Sequence, residues 1–155
     1  VFMLAVLDVD FDANQVGMDV QISELLKTLS STDKAALLAL YEGGYRTAYS
    51  FHDGFLLLKP IPGEEDKSNR YYKILLTYKA NRKHDKNFDF KSVEVGLEYD
   101  CKSNKYMILE KDYRPDPYGA GSSLLKLIRR ADADQEFKEL SSQNLQKLLN
   151  CKSIN

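Results

Sequence analysis

The feature that most constrains the fold is a regular alternation of apolar and polar residues in the middle of the chain. It spans residues 71–80, and its large apolar members are Tyr72, Ile74, Leu76 and Tyr78. Because alternate residues of a strand lie on the same face, these four side chains would face one side of a sheet. The segment therefore predicts a half-buried β-strand rather than a helix.

A hairpin is predicted immediately before this strand. Two apolar segments, residues 46–51 and 55–61, flank the turn sequence His52-Asp53-Gly54. An Asp-Gly pair between such segments favours a tight turn between antiparallel strands. A further strand is predicted over residues 106–111, after a turn at residues 101–105. Strands that follow one another through short connections predict a mainly antiparallel meander.

The segment from Phe88 to Tyr99 changes phase along its length. Phe88 and Phe90 have one parity, whereas the later apolar residues have the other; these are Val93, Val95, Leu97 and Tyr99. A regular strand cannot place both sets on the same face. A β-bulge near Lys91 and Ser92 would restore the phase, and we expect one there.

Helical patterns are predicted at both ends of the chain. Asp19 is a candidate N-cap for a first helix that ends near Leu29, and Ser30 with Asp33 is a candidate capping pair for a second helix that ends at Gly43. Two more helices are predicted over residues 124–128 and 137–148. The predicted fold is α+β: a mainly antiparallel sheet of five or six strands, with the N-terminal helical pair and the C-terminal helices packed on one face.

Length and composition indicate a single globular domain over residues 1–155. The chain begins at Val1 rather than at Met, which is compatible with a piece of a longer protein. Its formal net charge is −1, so no overall field favours nucleic acid or an anionic membrane. No segment approaches the roughly 20 apolar residues that a membrane-spanning helix needs. Membrane association is therefore not expected.

Two isolated cysteines, Cys101 and Cys151, are the only ones in the sequence. They form no Cys-x-x-Cys pattern typical of zinc or redox sites. A disulfide between them would require an oxidising compartment and a fold that brings them together. The expectation from the sequence is two reduced thiols in a reducing intracellular compartment, most simply the cytoplasm.

Asp8, Asp10 and Asp12 follow an apolar segment at every second position. On one face of a strand, three carboxylates would repel one another unless a cation or water separates them. Asp8-x-Asp10 resembles the start of haloacid-dehalogenase-type phosphatases, but that family needs a parallel sheet. The three positions also match the first ligands of a calcium loop, although Ala13 and Asp19 stand where that loop has Gly and Glu. A divalent metal here is an alternative to a solvated strand end; no other cofactor is predicted.

A basic loop over residues 81–87 contains Arg82, Lys83 and Lys86 beside aromatic strands. Phosphate contacts and base stacking could bind RNA or single-stranded DNA there. The loop's His84 is predicted to be solvated. The Gly-rich turn that begins at Tyr118 is a weaker candidate for a phosphate site, because it precedes a predicted helix.

The leading functional prediction is a non-enzymatic protein-interaction domain: an assembly component, effector, inhibitor or immunity-type protein. A sheet face that carries Tyr49 and Tyr71 would be a suitable interface, since tyrosines supply rigid contact area. The first alternative is a metal-dependent phosphoryl- or nucleic-acid-processing enzyme that uses Asp8, Asp10 and Asp12. The second alternative is RNA or single-strand binding through the loop from Arg82 to Lys86. The absence of a catalytic motif favours the non-enzymatic prediction.

Overall fold

The fold was analysed on a computed structural model of the 155-residue chain. The structure describes residues 19–21, 29–45, 47–51, 54–62, 69–84, 88–129 and 138–139. In chain order, the elements are β1 (Asp19–Gln21), α1 (Ser31–Glu42), β2 (Thr47–Phe51), β3 (Gly54–Ile61), β4 (Asn69–Lys83), β5 (Asp89–Asp100), β6 (Lys105–Arg114), a 3-10 turn (Pro117–Gly119), β7 (Leu125–Ile128) and β8 (Lys138–Glu139).

All the described strands belong to one antiparallel sheet with the order β1-β2-β3-β4-β5-β6-β7, and β8 also pairs with β6. The five longer strands, β2 to β6, form its middle and follow one another as a meander. The mainly antiparallel, sheet-dominated architecture is therefore confirmed. The hairpin between β2 and β3 is also confirmed, with Phe51 paired to Gly54.

The predicted bulge lies where the phase of β5 changes. Ser92 pairs with Thr77, but Phe90 pairs with Arg82, so the ladder between β4 and β5 is interrupted at Lys91. Phe90 and Val93 consequently belong to the same buried cluster despite their opposite parity. Hydrophobic burial on both sides of the break explains why the irregularity occurs there.

The sheet is buried on parts of both faces. The main core on one face contains most of the buried apolar side chains, including Leu56, Ile74, Leu76 and Leu97. On the opposite face, Leu37 of α1 packs with Tyr45, Leu57 and Leu75. Because consecutive residues of β3 and β4 are apolar, these strands bury both of their surfaces. The predicted arrangement, with helices on one face and the second face uncovered, is wrong because buried clusters lie on both faces of the sheet.

Helix α1 begins and ends where its capping residues predict. The backbone N–H of Asp33 donates to Ser30 Oγ at 3.3 Å, and the Ser30 hydroxyl donates to Asp33 Oδ2 at 3.1 Å. At the other end, the N–H of Gly43 donates to the carbonyl of Ala39 at 2.9 Å, and Gly44 follows with a φ of 115°. A positive φ of this size favours glycine, so the helix ends here.

Two predicted helices are wrong in the described residues. Asp19, the expected N-cap of the first helix, instead begins β1 and pairs with Tyr49. Residues 125–128, expected to be helical, form β7 against β6. Four apolar residues in a five-residue segment fit a short strand as well as a helix, and pairing with an available edge decides between them.

The remaining helix predictions fall mainly outside the described residues. The apolar positions of the last predicted helix, among them Phe137 and Leu148, lie there, and only Lys138 and Glu139 are described, as β8. Both residues pair with the start of β6. The predicted C-terminal helices therefore have no support in the part of the chain that the structure describes.

Replacing Ser30 with alanine should lower the free energy of unfolding by about 1 kcal/mol, because Asp33 N–H loses its capping acceptor. The matched control is Ser31→Ala, which alters the adjacent first residue of α1 and should change stability by less than ~0.5 kcal/mol. Urea unfolding of both variants measures the difference. Equal effects of the two substitutions would contradict the assigned cap.

Candidate functional site

The part of the α1-bearing face that the helix leaves accessible is the candidate binding surface. It is here called the open face and consists of Tyr71, Lys73, Glu94, Glu98 and Glu110. Directly paired residues lie on the same face, and Tyr71 pairs with Glu98 while Glu94 pairs with Leu75, a residue that packs with α1. Tyr71 is 39% exposed, although its strand is paired with a neighbour on each side. The register therefore combines an accessible tyrosine and several charges on one surface.

Polar contacts hold several side chains of the open face in place. Lys73 Nζ lies 3.1 Å from Glu94 Oε1, and both side chains remain partly exposed. Asn69 donates to Glu98 Oε2 at 2.5 Å. An exposed ion pair contributes little to stability, about 0–1 kcal/mol, but it limits the positions that its charges adopt. The open face thus presents ordered charges of both signs.

Gly96 occupies the centre of the open face, opposite Lys73 on one side and Glu110 on the other. A Cβ atom at this position would lie 2.8 Å from Glu110 Cγ. The glycine therefore lets the Glu110 side chain lie close over the strand. A glycine inside a strand often marks such a close approach.

The edge of the open face is connected to α1 through Tyr45. Burial, and secondarily the charge of Glu94, raises the pKa of Tyr45 above its ordinary value. Lys59 lies over the same ring, with its Nζ 5.9 Å from the ring centroid. Tyr45 therefore lies between the apolar cluster beneath α1 and the charged residues of the open face.

A buried carboxylate anchors the segment that follows β6. Asp112 is 8% exposed, and its Oδ2 accepts from Arg114 at 2.7 Å. Its other oxygen accepts from the Ser123 hydroxyl at 2.5 Å, and Arg114 also donates to the carbonyl of Gly121 at 2.6 Å. These contacts hold the turn of residues 115–123 against the strand. Sequence reasoning missed this anchor because nothing in the spacing of Asp112, Arg114 and Ser123 marks these residues as partners.

The segment predicted as a basic loop packs against aromatic side chains and is not a solvated turn. Arg82 lies over the ring of Tyr78, 4.7 Å from its centroid, and Lys83 is exposed. Lys86 lies outside the described residues. His84 is only 4% exposed and contacts Phe88 and Tyr113, with ring centroids 4.6 and 4.7 Å apart. The prediction of a solvated His84 is therefore wrong, because Phe88, Phe90 of β5 and Tyr113 of β6 pack around it.

The other predicted site residues are not brought to the open face. Tyr49 pairs with Leu56, a residue of the main core, whereas Tyr71 pairs with Glu98. The register thus gives the two tyrosines positions on opposite faces of the sheet. Asp8, Asp10 and Asp12 lie outside the described residues, and the metal site there stays a prediction. Among the described residues, no group of three or more histidines, cysteines or carboxylates is placed to hold a metal ion.

The phosphate site predicted at the Gly-rich turn depended on a helix directly after the turn. The next element is the strand β7, so that support is absent. Its first residues instead cross the α1-bearing face. The backbone N–H of Tyr118 donates to Thr77 Oγ1, and that of Gly119 donates to Ser92 Oγ, both at 2.9 Å. Two buried hydroxyl groups of the sheet therefore position the turn.

Cys101 is disulfide-bonded, and the sequence contains one other cysteine, Cys151. Cys101 begins the turn between β5 and β6, next to the main core. Disulfides persist in oxidising environments and are rare in the cytosol. The predicted pair of reduced thiols is therefore wrong.

In the described parts of the chain, no helix is long and apolar enough to cross a membrane.

Comparison with known proteins identifies one family. The family model described as surface-adhesin protein E matches residues 59–151, from within β3 to beyond β8, which is more than half of the chain. No curated protein and no solved structure matches significantly. The expected cytoplasmic location is wrong, because the matched family is one of surface proteins. The chain belongs to the surface-adhesin protein E family.

Proposed function

We propose that this chain is a protein-binding adhesive domain that acts at the cell surface or outside the cell, and that the open face is its contact surface. The observation that carries the proposal is the combination of the accessible Tyr71 with ordered charges on the same surface. Family membership and the disulfide-bonded Cys101 support an extracellular setting. The proposed activity is binding, and it requires no catalytic group.

The chemistry of the open face suits a polar protein partner. Tyrosines are enriched at the centres of protein interfaces, where one ring contributes both apolar area and a hydroxyl group. Three carboxylates, Glu94, Glu98 and Glu110, surround Gly96, and Lys73 pairs with the first of them. The excess of negative charge would favour lysine or arginine side chains on the partner.

Replacing Tyr71 with alanine should weaken adhesion at least ~10-fold, since truncation of a tyrosine at the energetic centre of an interface costs about 2 kcal/mol or more. Tyr41→Ala is the matched control, because Tyr41 is a similarly exposed tyrosine (43%) that belongs to α1 and is not a member of the open face. A panel of purified lysine- and arginine-rich proteins, immobilised on a biosensor, provides the binding measurement, because the charge of the open face favours such partners. Tyr41→Ala should bind like the original chain.

The stability of both variants must be measured in parallel. Because Tyr71 and Tyr41 are about equally exposed, the two substitutions should change the free energy of unfolding by similar amounts. A loss of binding without a loss of stability would assign the contact to Tyr71. Binding that both variants retain in full, or lose equally, would rule out the open face as the adhesive surface.

A further inference from the structure

A cavity of about 380 Å³ lies beside the N-terminus of α1 and next to the second half of β4, away from Tyr71. Its lining residues are Leu29, Asp33, Phe55, Thr77, Tyr78, Lys79, Lys91, Pro117 and Tyr118. The lining comes from α1 and the segment before it, from three strands, and from the 3-10 turn. A volume of this size is within the range of small-molecule sites, about 300–1,000 Å³. Tyr71 and Thr77 are six positions apart on β4, or roughly 20 Å, so this site is separate from the open face.

The interruption of the sheet ladder accounts for the position of the cavity. Between the pairs Thr77–Ser92 and Arg82–Phe90, β4 has four residues and β5 has only Lys91. Lys79 and Lys91 lie in this interval and line the cavity. Backbone groups that do not pair across a ladder need other partners, which a bound molecule can supply. The same break therefore opens the space and brings two cationic side chains to it.

Tyr118 is held beside the cavity in an unusual backbone conformation. Its φ is 60° and its ψ is 27°, in the left-handed region that bulky residues seldom adopt. The contact with Thr77 Oγ1 holds it there. Such strain is concentrated at functional sites. A tyrosine hydroxyl is a neutral hydrogen-bond donor at physiological pH, and burial, with the charge of Asp33 second, raises the pKa of Tyr118 further, to about 12.

We propose that this cavity binds a small organic carboxylate with an aromatic body. Lys79 and Lys91 supply positive charge for the carboxylate, and the Tyr118 hydroxyl supplies a neutral donor. The apolar lining of Leu29, Phe55 and Pro117 receives the aromatic body. The carboxylate of Asp33 already accepts from Ser30 at 3.1 Å in the first turn of α1. Its negative charge limits the affinity of the site and makes Asp33 a useful position for a test.

The test uses 2-naphthoate as the probe and its neutral amide, 2-naphthamide, as the matched control ligand. Titration of the 15N-labelled chain with each compound gives a dissociation constant from the shifts of the backbone amide signals. We expect saturable shifts that centre on Thr77, Lys91 and Tyr118. 2-Naphthoate should bind about tenfold more tightly than the amide, as expected when one charge-assisted contact is lost. Equal affinities would overturn the proposal.

Variants of the cavity residues complete the test. A Lys79→Gln/Lys91→Gln double variant should weaken 2-naphthoate binding at least ~10-fold, whereas Asp33→Asn should strengthen it by removing a like charge. Lys126→Gln is the matched control, since this exposed lysine lies on β7. Tyr71→Ala should leave the binding unchanged, which separates this site from the adhesive surface. Absent shifts, shifts distributed over the whole chain, or undiminished binding to the double variant would exclude a carboxylate site.

Discussion

Replacing Cys101 with serine should lower the free energy of unfolding by about 4 kcal/mol. The one other cysteine in the printed sequence is Cys151, about 50 residues away, and closure of a loop of that length by a bond to Cys101 would restrict the unfolded chain strongly. For a domain of this size, the loss corresponds to a decrease in Tm of roughly 10 °C. Differential scanning calorimetry of the purified variant measures it.

Cys151→Ser and the double variant are the matched controls, because each removes the same bond. All three variants should unfold at similar temperatures, and a reducing agent should lower the Tm of the original chain to the same range. The reducing agent should leave the double variant unaffected. Two reactive thiols in the unfolded, unreduced original chain would contradict the bond, as would an unchanged Tm in Cys101→Ser.

Replacing Phe90 with alanine should cost about 3–5 kcal/mol, the usual range for a fully buried phenylalanine. Phe90 is 2% exposed, and its ring lies 5.0 Å from that of Tyr113 and 6.1 Å from that of Tyr78. Both ring pairs have edge-to-face geometry, which adds to the energy of burial. Urea unfolding, with the slope compared between variants, measures the change.

Phe90→Ala also tests the β-bulge directly. In a strand without a bulge, Phe90 would lie on the face opposite Val93, where it would not contact Tyr113. The matched controls are Phe90→Leu, which should recover much of the lost stability, and Tyr71→Ala on the open face. A cost for Phe90→Ala as small as that for Tyr71→Ala would mean that the phase of β5 is not restored at Lys91.

The strands and turns that depend on local chemistry could be predicted from the sequence. The alternation around Ile74 identified β4, and the Asp53-Gly54 pair identified the hairpin, because side-chain period and turn geometry act over a few residues. The conflict of phase between Phe90 and Val93 identified the bulge for the same reason. The capping interaction of Ser30 with Asp33 is equally local.

Segments with mixed signals were predicted wrongly. Residues 125–128 and Asp19 carry patterns that suit a helix, yet both form short strands because neighbouring strands offer pairing partners. Local propensity is weak compared with such tertiary contacts. His84 was misplaced for a similar reason: its neighbours in sequence are polar, whereas its neighbours in space are Phe88 and Tyr113.

The candidate sites could be predicted less completely than the strands and turns, because each site combines residues from several strands. Tyr71 was singled out from the sequence, but the charges beside it come from β5 and β6, and only the register shows which of them share its face. Tyr118 was noted for the glycines that follow it and not for the cavity. The signal that could have found the cavity was the phase conflict near Lys91, since a broken ladder leaves space between strands.

The sequence by itself determined the antiparallel hairpins, the capped helix α1 and the need for a bulge, because each follows from interactions between residues close along the chain. The tertiary structure decided which residues of distant strands meet. It assigned Tyr71 and Glu98 to one face, enclosed His84 among aromatic rings and placed Lys79 and Lys91 at one cavity. These outcomes depend on strand register, and register is selected by burial of the whole sheet rather than by any single segment.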